Sequence, residues 1–408
     1  MRVNQTRLMA ELDRLATYSE VPAPAVTRVV YTATDLEART YVKSLCDGFA
    51  IREDAVGNTF IRWTGSEPDL PAVGTGSHID AIPNAGRYDG TVGVLGGLEA
   101  MRALRESGFK PRRSIELVLF TSEEPTRFGI GCLGSRFLAG SLSAGDGERL
   151  KDAKGATLNQ ARMAAGFSGP MEEIALKQGY YHAFAELHIE QGPLLEERGV
   201  PLGVVTAIAA PASLRITIEG EGGHAGAVLM PGRHDAFLGA AEIALALEAA
   251  AKASGAIDTV ATTGICNVFP GAVNSIPSRV ELSVDARDID LGRRDAMLAS
   301  LTTACDQVAV KRGLRITKEV LNADAPAVCS PMVVEALERS CGAHPFDRMV
   351  SRAYHDSLFM SRIAPTAMLF IPCRAGVSHR PDEYASPEDI SLGVEVLAKA
   401  LADLSDTN

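Results

Sequence analysis

The sequence has little of several things, and each shortage excludes something. Its seven cysteines, Cys46, Cys132, Cys266, Cys305, Cys329, Cys341 and Cys373, are scattered, odd in number and form no CxxC pair. A disulfide framework is therefore not expected, and a reducing cytoplasm is the compartment such usage suggests. Basic stripes are missing too. With a net charge of −11 the chain does not read as a general nucleic-acid binder, although a few local arginines could still dominate one pocket for an anion. No apolar run approaches the length of a membrane span. The opening MRVNQTRLMAELDRLATYSE carries charges throughout and reads as an amphipathic helix, not as a signal peptide with an apolar centre. There is no low-complexity tract. What remains is ordinary globular material, 46% hydrophobic and 22% charged, and 408 residues are enough for two domains with sizeable cores.

The periodicity predicts helices over 4–18, 34–48 and 91–106, and strands over 49–53, 58–63, 72–76 and 115–121. This alternation implies an α/β core around a central sheet. From about Ala210 the character changes. LRITIEG, a helix over 234–251, strands over 259–269 and 279–287, a helix over 290–312 and a strand over 314–320 follow the order β-α-β-β-α-β of a ferredoxin-like sandwich. The expected organisation is a catalytic domain in two parts, 1–209 and 325–408, interrupted by an inserted α+β domain at 210–324. The last part resumes with a helix over 331–341, a strand over 367–372 and a final helix to Leu404.

The richest stretch is GTGSHIDAIPNAGRYDGTVGVLGGLE, residues 74–99. His78 and Asp80 are two apart, so on an extended strand they would share a face, as suits a ligand imidazole held by a carboxylate. Asp89, just before a glycine and a helix start, could reach the same ion. Taken alone, such a pair equally fits a structural histidine bonded to an aspartate. Glu123 and Glu124 follow the apolar strand IELVLFT, at the strand end where α/β proteins gather binding groups. His188, in ELHIEQG, precedes Glu190 and Gln191 at another strand end. His379 lies in GVSHRPDEY. Three imidazoles and two carboxylates, His78, Asp89, Glu124, His188 and His379, suit two divalent ions that share one carboxylate. Glu123, beside a ligand but not needed as one, is the natural general base. His182, His234 and His344 have no supporting neighbours and read as surface or packing residues.

GSHIDAIPNAGRYDG, SEEPTRFGIGCLGSRFLAG, ELHIEQGPLLE, GGHAGAVLMPGRHDA, AYHDSLFM and GVSHRPDEYASPEDI resemble, in collinear order from about residue 5 to 404, the bimetal amidohydrolases of ureide metabolism. These are the N-carbamoyl-L-amino acid hydrolases, allantoate amidohydrolases and ureidoglycolate amidohydrolases, relatives of aminoacylases and metal carboxypeptidases. The resemblance implies a metallopeptidase-like catalytic domain with a central mixed sheet and a dimerisation lid. It implies the same five ligands, with Asp89 bridging, Glu123 as base and Asp80 orienting His78. His188 stands where peptidase relatives carry an acidic ligand.

On the lid, the resemblance implies that His224 in GGHAG stabilises the oxyanion in the partner subunit's active site, and that Asn274 and Arg287 grip a substrate carboxylate. Arg287 could otherwise be a surface ion pair with Asp285 or Asp288. Gln191 contacts the ureido group or supports the site from behind. His355 touches substrate or packs beside the site. Tyr354 hydrogen-bonds a substrate hydroxyl or is a packing aromatic. The finer match favours the ureidoglycolate-hydrolysing branch, releasing glyoxylate, ammonia and CO2, with N-carbamoyl-L-amino acids and then allantoate as alternatives. The expected cofactors are two divalent ions per subunit, manganese first, with zinc, cobalt and nickel permitted. The expected partners are a small ureide and a second copy of the chain, with no nucleic acid and no membrane.

Overall fold

The computed structural model describes residues 1–407, which form two compact units. The first comprises Met1–Ala207, Val328–Ser351 and His355–Asn408; the second comprises Ile208–Ala327 with the three residues Arg352–Tyr354.

The first unit is built on a nine-stranded sheet. Read across, its strands are Ala50–Glu53, Thr59–Trp63, Ile115–Phe120, Ala72–His78, Tyr181–Ile189, Thr366–Ile371 and Gly203–Ile208, with two short strands completing the last edge. The four central strands are parallel neighbours. Every residue of Ile115–Phe120 and Thr366–Ile371 is buried, which is why these read as continuous apolar runs. Each fully buried Leu or Phe there contributes about 1.5–3 kcal/mol. Register matters more for function: His78 lies opposite Phe120, and His188 opposite Phe370. Parallel strands end on the same side, so the segments that follow His78, Phe120, His188 and Ile371 all emerge at one sheet edge.

Helix Thr91–Glu106 packs on this sheet and is buried almost all round, so its small and apolar residues are core residues. It starts directly after Asp89 and Gly90. Gly90 has φ 67°, and a Cβ there would fall 2.4–2.6 Å from the His78 ring, so the turn that delivers Asp89 requires glycine. The helices expected at 4–18 and 34–48 are Gln5–Ala16 and Ala33–Ser44. A two-stranded pairing of Val26–Arg28 with Ala81–Ala85 was not legible in the sequence, because Pro83 and Asn84 read as a loop.

The second unit is a four-stranded antiparallel sheet carrying two helices. Its strands Ala210–Glu219, Val260–Phe269, Arg279–Asp288 and Arg315–Ala323 lie in the spatial order second, third, first, fourth. Ala236–Ala253 and Leu291–Arg312 are the two helices. This is the β-α-β-β-α-β sandwich that the order of elements implied. Its core is Leu214, Ile216, Ile218, Ile243, Leu247, Val280, Leu282 and Leu301 among others. Among the described residues, no helix is long and apolar enough to cross a membrane.

Candidate metal centre and active site

At the shared sheet edge the structure brings His78, Asp89, Glu123, Glu124, His188 and His379 together. Asp89 sits in the middle. His78 Nε2 and His188 Nε2 lie 3.5 and 3.2 Å from its Oδ1. His379 Nε2 lies 3.4 Å from its Oδ2 and 3.2 Å from Glu124 Oε1. Two groups of potential ligand atoms result, His78–Asp89–His188 and Asp89–Glu124–His379, each compact enough to hold one ion and sharing Asp89. Atoms bound at about 2.0–2.2 Å around one tetrahedral ion stand about 3.3 Å apart, and these contacts match that spacing.

The second ring nitrogens fit as well. His78 Nδ1 bonds to the carbonyl of Asp80 at 3.0 Å, and His188 Nδ1 to that of Ile189 at 2.9 Å. Both bonds place the proton on Nδ1 and turn the Nε2 lone pair toward Asp89. The Gly90 amide, 3.1 Å from His188 Nε2, points at the same lone pair.

The electrostatics also call for cations. Burial works to raise the Asp89 carboxyl, but the His188 and His78 imidazoles outweigh it and hold it well below the usual range. His379 is pushed up to about 9, first by Glu124. Burial drives Glu123 well above the usual carboxylate range, and the charge of Glu124 adds to this while His78 opposes it. Burial likewise raises Glu124, against His379. Imidazoles that gain protons beside an aspartate that sheds its own mark positions where positive charge is favoured. The residues fit two divalent ions.

Asp80 does more than the sequence suggested. The strand ends at His78, so the alternation that would put the two side chains on one face no longer applies at Asp80. Its carboxylate lies 3.6 Å from His78 Nδ1, and it is its backbone carbonyl that orients the ring. The two carboxylate oxygens also accept the amides of Glu123 and Glu124, at 3.1 and 3.0 Å. Asp80 thus places both glutamates. The Cys132 thiol adds a long contact of 3.5 Å to Glu123 Oε1.

Gln191 and His355 are also here. Gln191 Nε2 donates to Asp89 Oδ2 at 2.6 Å, while its buried Oε1 has no partner among the described residues. His355 is buried behind the ligands, with its ring edge-on to His188 at 4.6 Å and its Nε2 3.0 Å from Ser351 Oγ. Glu186, His188 and His355 form a third close group, but Glu186 is occupied by the hydroxyls of Ser77 and Ser357, at 2.7 and 2.6 Å.

Sequence reasoning missed Glu383 and Ser378. Glu383 accepts the amides of Tyr88 and Asp89, and Ser378 donates to Asp89 Oδ2 at 2.5 Å. Burial and the Asp89 charge push Glu383 up to about 7. A further signal was invisible in the sequence. Ser122, Cys132, Gln191 and His379 are all non-glycine residues in left-handed backbone, with φ between 55° and 59°. Such residues are uncommon and gather where a site over-determines the chain.

His224, Asn274, Arg287 and Tyr354 belong to the second unit. His224 is exposed, and its Nδ1 accepts the amides of Gly226 and Ala227 at 3.1 and 3.2 Å, which leaves the proton on Nε2. Asn274 is exposed, and its carbonyl receives the Ala225 amide at 2.9 Å. Arg287 pairs with Asp285 at 2.7 Å, the ion pair that was its alternative reading, and donates to the Arg352 carbonyl at 3.3 Å. The Tyr354 hydroxyl is directed at Asp324 Oδ2, 3.4 Å away.

A donor set of this kind at the C-terminal edge of a parallel sheet defines a metal-dependent hydrolase. The chain belongs to Peptidase family M20/M25/M40, whose sequence pattern matches residues 74–403. Within it, the chain is 51% identical to a ureidoglycolate hydrolase of Arabidopsis thaliana over 99% of its own length and 87% of that protein's. It is 39% identical to an N-carbamoyl-L-amino acid amidohydrolase of Geobacillus stearothermophilus, over 96% of both chains. Crystal structures of AtUAH in complex with glyoxylate and with (S)-hydroxyglycine superpose with a TM-score of 0.91 at 51% identity, covering 99% of this chain and 98% of theirs.

Because Asp89 offers one oxygen to each ligand group, its loss should affect both ions. Asp89→Ala is expected to abolish stoichiometric binding of both, read by metal analysis after equilibration with manganese. A variant that keeps two ions and full activity would sink the shared-carboxylate arrangement.

Proposed function

We propose that the protein hydrolyses ureidoglycolate at its terminal ureido group, giving glyoxylate, ammonia and CO2, with two divalent ions, manganese first. The observation that carries the substrate assignment is the 51% identity to a ureidoglycolate hydrolase along nearly the whole chain. The first ion falls to His78, His188 and Asp89, and the second to Asp89, Glu124 and His379. When bound, such ions polarise a carbonyl and lower the pKa of water.

The chain's own residues do the rest. Glu123, held by Asp80 through its backbone amide, takes a proton from the attacking water and delivers it to the leaving nitrogen. The free Oε1 of Gln191 accepts an N–H of the ureido group. Arg287 exchanges Asp285 for the substrate carboxylate, for which its planar fork is suited, and Asn274 adds a donor. His355 supports His188 from behind rather than touching substrate. The Tyr354 hydroxyl, directed at Asp324, is the group assigned to a substrate hydroxyl.

His224 supplies its Nε2–H to the developing oxyanion. We assign this to the partner subunit of a homodimer formed through the second unit, acting as a lid, in a cytoplasmic enzyme. Mixing inactive His224→Ala chains with inactive Glu123→Gln chains is then expected to regenerate activity in the heterodimer. No recovery in verified heterodimers would mean that His224 serves its own chain. The substrate itself is tested by comparing turnover of ureidoglycolate with that of N-carbamoyl-alanine. Faster turnover of the latter would transfer the assignment to the carbamoylases.

A further inference from the structure

The two ligand groups are supported unequally. His78 and His188 are buried on strands, and each ring is fixed by a backbone carbonyl. His379 lies on a loop with φ 59°, and 46% of its side chain is exposed. Something else must hold that loop in place.

Glu383, four residues further on, is buried. Its Oε1 accepts the consecutive amides of Tyr88 and Asp89, at 2.7 and 3.1 Å. Its Oε2 lies 3.0 Å from Ser378 Oγ, and Ser378 Oγ lies 2.5 Å from Asp89 Oδ2. The fit to the opposite loop is tight: a Cβ on Gly86 would fall 2.2–2.4 Å from Glu383 atoms. Two segments almost 300 residues apart, one carrying Asp89 and the other His379, are thereby joined through one carboxylate and one hydroxyl.

We infer that Glu383 and Ser378 form a latch that ties the His379 loop to the Asp89 turn, and that the ion assigned to Glu124 and His379 depends on it more than the ion assigned to His78 and His188, which shares only Asp89 with the latch. This rests on the two-ion reading above. Without the Glu383 carboxylate, the 377–383 loop is tied to the Asp89 turn only through the Ser378 hydroxyl and the half-exposed His379 ring itself. His78 and His188 keep their strands and their own carbonyl partners. Groups that orient metal ligands from behind typically change metal affinity by about 10–100-fold.

Manganese binding to the full-length protein, measured by metal analysis across graded free Mn2+, tests this with His379→Ala as the one-ion reference. In Glu383→Ala one ion should weaken about 10–100-fold and the other clearly less. Ser378→Ala should show the same selectivity with a smaller loss. Glu383→Gln should restore most of the binding, because its amide oxygen still accepts both backbone amides and its NH2 can donate to Ser378. Equal weakening of both ions in Ser378→Ala, or unchanged binding in both alanine variants, would overturn the latch. Ser378→Ala removes only a hydroxyl, so it decides the matter even if Glu383→Ala does not fold. A wild-type protein that binds no ion would refute the two-ion reading instead.

Discussion

Exchange of Glu123 for Gln is expected to lower turnover by at least ~10² while both ions stay bound, a loss of about 2.7 kcal/mol in transition-state stabilisation. The size of the effect follows from position. Glu123 belongs to neither compact ligand group, although its Oε2 comes within 3.7 Å of His78 Nε2. Its amide is pinned by Asp80, the Cys132 thiol touches its carboxylate, and its neighbour Glu124 belongs to a candidate ligand group. A carboxyl buried there and raised above its usual range is suited to accept a proton and return it within one turnover. Glutamine preserves the size and the backbone contacts and removes only the exchangeable proton site. Parallel steady-state kinetics and metal analysis would check it. A near-normal rate with both ions retained would show that another group transfers the proton.

The fate of Asp80 shows where sequence reasoning stopped. Residue types were legible: an HxD pair, a Glu–Glu pair, a histidine at a strand end and another in a loop beyond one announced metal chemistry. The alternation rule placed Asp80 beside His78, and its carboxylate does lie 3.6 Å from that ring although the strand stops at His78. What Asp80 also binds, the amides of Glu123 and Glu124, lies more than 40 residues away. Glu383 and Ser378 were hidden for the same reason, since they meet Asp89 across almost 300 residues of chain. The left-handed backbone at Ser122, Gln191 and His379 was also hidden, because none of these is a glycine. By contrast, the sandwich of the second unit was legible in outline. Its strands are long, and Arg279–Asp288 alternates in burial along its whole length, so there local pattern and tertiary packing agree. Short elements such as Val26–Arg28 exist only because a partner strand, here Ala81–Ala85, lies alongside.

The central claim is the substrate. Ureidoglycolate and N-carbamoyl amino acids share a carboxylate, the group proposed for Arg287 and Asn274, and a ureido group, the one proposed for the metal ions. They differ at the central carbon, which carries a hydroxyl in one and a side chain in the other. A site built to bond that hydroxyl rejects an analogue without it, because its own polar group is left unpaired. Tyr354, whose hydroxyl is directed at Asp324, is the group assigned to it. The measurement is kcat/KM for ureidoglycolate and for N-carbamoyl-alanine on the same manganese-loaded protein, followed by ammonia release, and repeated with Tyr354→Phe. The expected result is a preference of ~10² or more for ureidoglycolate, with glyoxylate as co-product and a narrower gap in the variant. Faster turnover of N-carbamoyl amino acids with apolar side chains would contradict the account and return Tyr354 to a packing residue.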